Sequence, residues 1–196
     1  MSATSLTVRA IAILATLLAA SAARCLADSG RKPTTNDPLA EDRQVFSQSL
    51  IREGDRSYRK LRVAQARRAY GDAAATLPGA YAYIMYGDAR WRELLQAQDA
   101  LRKSDTAFSR EPCALSNADL VHALTMELPQ THERGLAMAY HEAPGRSDKS
   151  SWLARAGESA LCLRRLIAEY RARPAAACVD VTPLQACLGK PLIVGR

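Results

Sequence analysis

The side chains that most often carry out catalysis or bind metals are sparse in this chain, and their spacing fits no common catalytic pattern. There are three histidines: His122, His132 and His141. Their spacings do not repeat a helical face, and none begins the H-E-x-x-H pattern of a zinc hydrolase. We therefore interpret them as ordinary surface or half-buried histidines and predict no metal site.

Two short motifs could suggest an enzyme, and neither lies in the context that the chemistry needs. Ser159, in the sequence Gly-Glu-Ser, falls inside the strongest predicted helix, whereas a nucleophilic serine needs a strand-turn-helix bend to expose it. Gly189 and Lys190 are followed by Pro191, which does not fit a phosphate-binding loop. We predict no catalytic residue and no cofactor. An enzyme built from scattered polar residues stays open as an alternative.

The first residues are typical of a secretory signal peptide. Arg9 precedes the uncharged apolar run Ala10–Ala20, which is followed by small residues. Eleven apolar residues are too few to span a bilayer core, which takes about 20. We expect a periplasmic or secreted protein with no integral membrane segment after cleavage. The expected cleavage site is after Ala27, with Ala22 or Ala23 as alternatives.

Export makes disulfides more plausible than metal ligation for the cysteines. Cleavage after Ala27 removes Cys25 and leaves four disulfide candidates: Cys113, Cys162, Cys178 and Cys187. Three pairings are open. One of them joins Cys178 to Cys187 across a short C-terminal loop and leaves Cys113 with Cys162 as a long-range link.

The chain contains an internal repeat. Residues Ile51–Gln65 and Ile84–Gln98 share seven of fifteen positions at an offset of 33, and the offset then becomes 34. The repeated positions include an acid, an aromatic residue and an arginine: Asp55/Asp88, Tyr58/Trp91 and Arg59/Arg92. Further on, Ala66, Ala73 and Pro78 match Ala100, Ala107 and Pro112. Such self-similarity predicts a repeat architecture.

The spacing inside the repeat has a structural meaning. Ala66, Tyr70 and Ala73 lie four and three residues apart, so they share one helical face, and Pro78 follows the helix. This small-aromatic-small-proline pattern resembles the tetratricopeptide repeat family. The resemblance covers about residues 47–114, and Leu136, Tyr140 and Ala143 repeat the spacing faintly over 115–145. It implies two or three stacked antiparallel helix pairs with a concave surface that binds a partner.

The repeated polar and aromatic residues allow two interpretations. In one, Asp55, Tyr58, Arg59, Asp88, Trp91 and Arg92 form a ladder along the groove that binds an extended peptide. In the other, the acid and the arginine four residues later simply form a surface ion pair, used twice.

The predicted fold class is all-α, with antiparallel helix-hairpin repeats, a capping helix and an irregular, disulfide-held tail. The expected segments are a signal peptide at 1–27, a disordered lead at 28–37, a helical repeat domain at 38–172 and the tail at 173–196. Ser116 or Asn117 is expected to cap a helix that ends at about Leu128, closed by Pro129. The capping helix is expected from Ser151 to about Arg171. Its core-facing apolar stripe is expected to consist of Leu153, Ala156, Ala160, Leu163, Ile167 and Tyr170.

The chain carries 27 basic and 20 acidic residues, a formal charge of +7. Seven of the basic residues fall between Arg52 and Arg68, and on a continuous helix they would spread around the wheel. We interpret them as a solvated face, with attraction to an acidic surface or an acidic partner as the alternative. Export argues against nucleic acid.

Together these patterns predict an exported, non-catalytic adaptor of tetratricopeptide-like type that binds a protein or peptide. Two alternatives are a periplasmic immunity or inhibitor protein that neutralises a toxin or enzyme, and an enzyme with an unrecognised site. The oligomeric state is left open.

Overall fold

The computed structural model describes residues 39–104, 115–141 and 149–192. By contacts the chain divides into two compact units, Met1–Ala40 and Glu41–Arg196. The described part of the first unit is only the start of the first helix. The predicted signal peptide, the predicted lead at 28–37, Cys25 and Cys113 lie outside the described residues, as do Ala107, Pro112 and Ala143.

All regular elements in the described ranges are helical, which confirms the all-α prediction. The helices are α1 (Ala40–Arg59), α2 (Val63–Thr76), α3 (Ala80–Ser104), α4 (Asn117–Leu128), α5 (Arg134–His141), α6 (Lys149–Arg171) and α7 (Thr182–Leu188), with a π-helical turn at Pro129–Glu133 between α4 and α5. A single isolated bridge pairs Ser116 with Cys178.

Helices α1 and α2 form an antiparallel pair around the predicted small-aromatic-small face. Ala66, Tyr70 and Ala73 are all buried. A Cβ atom added at Gly54 of α1 would lie only 2.6 Å from the Tyr70 ring, so the missing side chain is what lets the two helices approach. At the other end of the pair, Ser47 Oγ donates a hydrogen bond to the Ala73 carbonyl at 3.3 Å.

The two copies of the repeat differ in shape. In the first copy the chain leaves α1 after Arg59 and enters α2 at Val63, whereas the corresponding stretch of the second copy lies inside the continuous helix α3. Leu61 and its counterpart Leu94 show the physical difference. Leu94 packs against the main hydrophobic core and keeps its helix attached to it, while Leu61 is exposed in the turn. The helical hairpin of the first copy therefore does not recur at the aligned position.

The predicted start of α4 at Ser116 or Asn117 and its predicted end at about Leu128 are confirmed, whereas the prediction that Pro129 closes the helical run is wrong. Ser116 caps α4 through a reciprocal capping box with Asp119. Pro129 does not close the helix, because the chain widens into the π-helical turn and runs on as α5. A proline removes one donor and crowds the preceding turn, and a wider turn accommodates both effects.

The C-terminal part is more ordered than the sequence suggested. The helix predicted from Ser151 to about Arg171 is confirmed as α6. The predicted irregular tail, in contrast, contains α7 and places Val179, Val181 and Leu184 in the main core. Cys162 of α6 is joined to Cys187 of α7. The suggested pairing of Cys178 with Cys187 is therefore wrong, because Cys187 faces the core side of α7, where α6 lies against it. Cys178 is also disulfide-bonded.

Candidate functional site

The repeated residues that were predicted to form a binding ladder lie mainly in the interior. Tyr58 and Trp91 are each 1% exposed, and Asp88 is 0% exposed. A side chain with no accessible surface cannot contact an extended peptide. The prediction of an exposed ladder is therefore wrong for these three residues.

Tyr58, Asp88 and Arg92 form one connected polar cluster. The Tyr58 hydroxyl donates a hydrogen bond to Oδ2 of Asp88. Arg92 Nε donates to the same carboxylate oxygen at 2.7 Å and to the Tyr58 hydroxyl oxygen at 2.9 Å. Burial, and then the nearby Asp88 carboxylate, raise the pKa of Tyr58, so the phenol stays neutral and keeps its proton to donate.

The same cluster holds the C-terminal segment. The Arg92 guanidinium donates to the Leu188 carbonyl at 3.1 Å and to the Gly189 carbonyl at 3.3 Å. The Leu192 amide donates to the Tyr58 hydroxyl oxygen at 3.3 Å. The Asp88–Arg92 ion pair therefore lies in the interior. The second interpretation, which placed this ion pair on the surface, is wrong for these two residues. The role of the pair is to join α1, α3 and the residues that follow α7.

In the first copy the equivalent acid has different partners. Asp55 accepts hydrogen bonds from the Tyr70 and Tyr81 hydroxyls, each at 2.8 Å. Burial, first of all, raises the pKa of both tyrosines, so both remain donors. Arg59, the remaining member of the predicted ladder, is exposed. The two aligned acids therefore take part in two different hydrogen-bond networks, although the two copies are similar in sequence.

The histidines are not gathered into a site. His132 is buried against Gly87, where an added Cβ atom would lie 2.7 Å from the imidazole Nδ1, and burial lowers its pKa. His122 and His141 are exposed on other elements. Ser159 is buried on α6. Within the described ranges no three His, Cys, Asp or Glu residues are placed to share a metal ion.

An apolar groove runs between α5 and α6. Its volume is about 740 Å³. Two large apolar side chains stand open at it, since Tyr140 is 89% exposed and Leu161 is 60% exposed. The lining residues are Glu133, Leu136, Ala137, Ala139, Tyr140, Leu153, Ala154, Gly157, Ala160, Leu161 and Arg164.

The polar part of the groove is an ion pair. Arg164 Nε of α6 donates to Glu133 Oε1 of the π-helical turn at 2.5 Å. This contact satisfies both charges and joins the two walls. The rest of the lining consists of Tyr140 and of small and aliphatic side chains, so the groove can accept an apolar surface.

Sequence reasoning missed this groove, although α6 carried a signal for it. The predicted core stripe of α6 is correct, with Ala160 and Leu163 buried. A second run, Ala154, Gly157 and Leu161, lies on another face at spacings of three and four. Two small residues followed by an exposed leucine form a shallow apolar surface beside the core stripe.

Comparison with protein-family models, with curated proteins and with solved structures finds no match to this chain. Among the helices described here, none combines the length and apolar character needed to cross a membrane. The described residues thus form an interior polar cluster that joins helices and an apolar groove at which Tyr140 and Leu161 are exposed.

Proposed function

We propose that this chain is an exported, non-catalytic binding module that holds an apolar helical segment of a protein or peptide partner in the groove between α5 and α6. The observation that carries the proposal is the groove itself, with Tyr140 and Leu161 exposed to solvent. Large exposed apolar side chains around a concavity mark interaction sites in soluble proteins.

The shape of the groove favours a helix as its occupant. The lining comes mainly from two helices, α5 and α6, and includes the small residues Ala154 and Gly157, which leave room for the apolar face of a third helix. Helix-in-groove recognition uses apolar anchors at positions i, i+3 or i+4, and i+7. Tyr140 and Leu161 then serve as the contacts at the rim, where aromatic side chains contribute strongly to binding energy.

Two further observations support the wider proposal. The Cys162–Cys187 bond is of the kind that persists in oxidising compartments, which supports export. The α1–α2 pair, packed through Ala66, Tyr70 and Ala73, supports a tetratricopeptide-like origin for that hairpin. We propose the tetratricopeptide-like resemblance for that hairpin alone, because the aligned stretch of the second copy lies inside the continuous helix α3.

The test uses the oxidised protein and a displayed library of amphipathic helical peptides. We expect selected peptides to carry an apolar stripe and to lose binding by about tenfold or more to Leu161→Asp, which places a charge in the groove. The matched control is Met126→Asp on α4, which replaces an exposed apolar residue outside the groove. Peptides that bind wild type and Leu161→Asp equally, or a selection that enriches no apolar stripe, would contradict the proposal.

A further inference from the structure

The turn between α1 and α2 carries a second surface, distinct from the groove. Between Arg52 and Arg68 there are seven basic side chains against two acidic ones. Arg67 is engaged in an ion pair with Glu93. The other six are exposed: Arg52, Arg56, Arg59, Lys60, Arg62 and Arg68.

The end of α1 and the turn after it place five of these basic residues close together. On one continuous helix they would be spread around its circumference. Arg52, Arg56 and Arg59 lie four and three residues apart and share the outward face of α1. The chain then turns, so Lys60 and Arg62 stand at the end of that face. We call these five residues with Leu61 the basic tip.

Leu61 is placed at the basic tip in an unusual way. Its amide donates to the Tyr58 carbonyl at 2.9 Å, and the Arg62 amide donates to the Ser57 carbonyl at 3.0 Å. This is the Schellman arrangement that ends a helix, and Leu61 takes the left-handed position at φ 57° that normally belongs to glycine. The side chain is nevertheless 62% exposed. The backbone conformation of Leu61 is unfavourable, and its side chain lies mostly outside the core. We infer that the side chain contacts something outside the chain.

We propose that the basic tip binds a bilayer surface that contains anionic phospholipids, with Leu61 inserted among the headgroups. Lys60 and Arg62 flank Leu61 on both sides, so the two cations would meet phosphates while the apolar side chain enters the layer below them. An acidic protein would satisfy the charges but would also need a cavity for a single projecting leucine. A deformable bilayer supplies both features at once.

The first experiment is vesicle co-sedimentation of the oxidised full chain. Vesicles of equal parts phosphatidylglycerol and phosphatidylcholine are expected to bind the protein. Vesicles of pure phosphatidylcholine are expected not to bind it, and high salt is expected to release it from the anionic vesicles. Arg56→Glu with Lys60→Glu is expected to lower the partition coefficient by about fivefold or more for each changed residue. Arg165→Glu with Arg171→Glu is the matched control, because it makes the same charge change at exposed positions of α6.

The second experiment separates binding from folding. Leu61→Gly removes the inserting side chain and also relieves the left-handed strain, so it is expected to raise Tm by about 3 °C and to lower vesicle binding by about threefold or more. Leu61→Trp is expected to keep binding and to gain fluorescence quenching by lipids that are brominated in the acyl chains. Leu77→Ser, at the exposed end of α2, is the control.

Three results would overturn the proposal. The first is equal loss of binding in the control and tip charge variants. The second is unchanged vesicle binding by Leu61→Gly. The third is binding to soluble polyglutamate without binding to the anionic vesicles, which would assign the tip to an acidic protein instead.

Discussion

The Tyr58 hydroxyl donates to the Asp88 carboxylate, and this contact connects one copy of the sequence repeat to the other inside the protein. The two residues are not aligned with each other in the repeat, since Tyr58 pairs with Trp91 and Asp55 pairs with Asp88. A tyrosine of the first copy is therefore hydrogen-bonded to an acid at a different repeat position in the second copy. This relationship explains why residues that look like a surface ladder in the sequence are buried in the fold.

Removal of the Tyr58 hydroxyl should destabilise the protein. Tyr58→Phe leaves the buried Asp88 carboxylate and the Leu192 amide each without one partner, and we expect a loss of about 1–3 kcal/mol in the free energy of unfolding. Urea denaturation monitored by circular dichroism measures it. Tyr140→Phe is the control and should change stability by less than about 0.5 kcal/mol, because that side chain is exposed. Equal effects in the two variants would contradict this assignment.

His132 should make stability depend on pH. Burial lowers its pKa in the folded state, while nearby Asp88 and Glu133 oppose that shift without cancelling it. Below about pH 6.5 the His132 imidazole is protonated in the unfolded chain but still neutral in the folded chain. Its contribution to the free energy of unfolding is therefore fully present above that pH and is lost as the pH falls below it. The slope for one proton approaches about 1.4 kcal/mol per pH unit.

The measurement is the free energy of unfolding at several values of pH between neutral and mildly acidic. His132→Gln should flatten the dependence, whereas His122→Gln, at an exposed position of α4, should leave it unchanged. A wild-type slope that persists in His132→Gln would show that other groups cause it.

The disulfide between α6 and α7 should contribute substantially to stability. It closes a separation of 25 residues, for which loss of unfolded-chain entropy gives about 3 kcal/mol. The double variant Cys162→Ala with Cys187→Ala should lose about that amount and should show faster amide exchange in Thr182–Leu188 by mass spectrometry. Unchanged exchange in that segment would mean that the contacts of Leu184 and Arg92 hold α7 without the covalent link.

Two glycines in helices should respond to alanine in opposite directions. At Gly54 the new methyl group would lie 2.6 Å from the Tyr70 ring, which is fixed by its hydrogen bond to Asp55, so Gly54→Ala should destabilise by about 1–3 kcal/mol. At Gly157 no described residue outside the local helix backbone lies within 4 Å of an added Cβ atom, so Gly157→Ala should stabilise by about 0.5–1 kcal/mol through helix propensity. Thermal unfolding of the two variants tests the difference in sign.

The elements that local chemistry determines were predictable from the sequence. The capping box at Ser116, the apolar stripe of α6 and the small face of α2 each depend on residues a few positions apart. The turn at Leu61 was not predictable, because it uses a leucine where the pattern calls for glycine. The continuation past Pro129 was also missed, since a π-helical turn leaves no simple sequence signal.

The site was harder to predict than the fold. Tyr58 and Asp88 carry polar groups, and their position in the interior depends on a contact between residues 30 positions apart, which periodicity does not reveal. The spacing of four between Asp88 and Arg92 indicated their pairing but not its burial. The disulfide pairing depends in the same way on how α7 lies against α6. The groove depends on two helices that meet only after folding.

The central claim is that the repeated polar residues build the interior while the groove between α5 and α6 does the binding. Isothermal titration of a selected amphipathic peptide against Tyr58→Phe and Leu161→Asp tests this claim directly. We predict that Leu161→Asp loses about tenfold or more in affinity, while folded Tyr58→Phe keeps its affinity within about twofold despite its lower stability. Retained affinity in Leu161→Asp together with lost affinity in Tyr58→Phe would contradict the account.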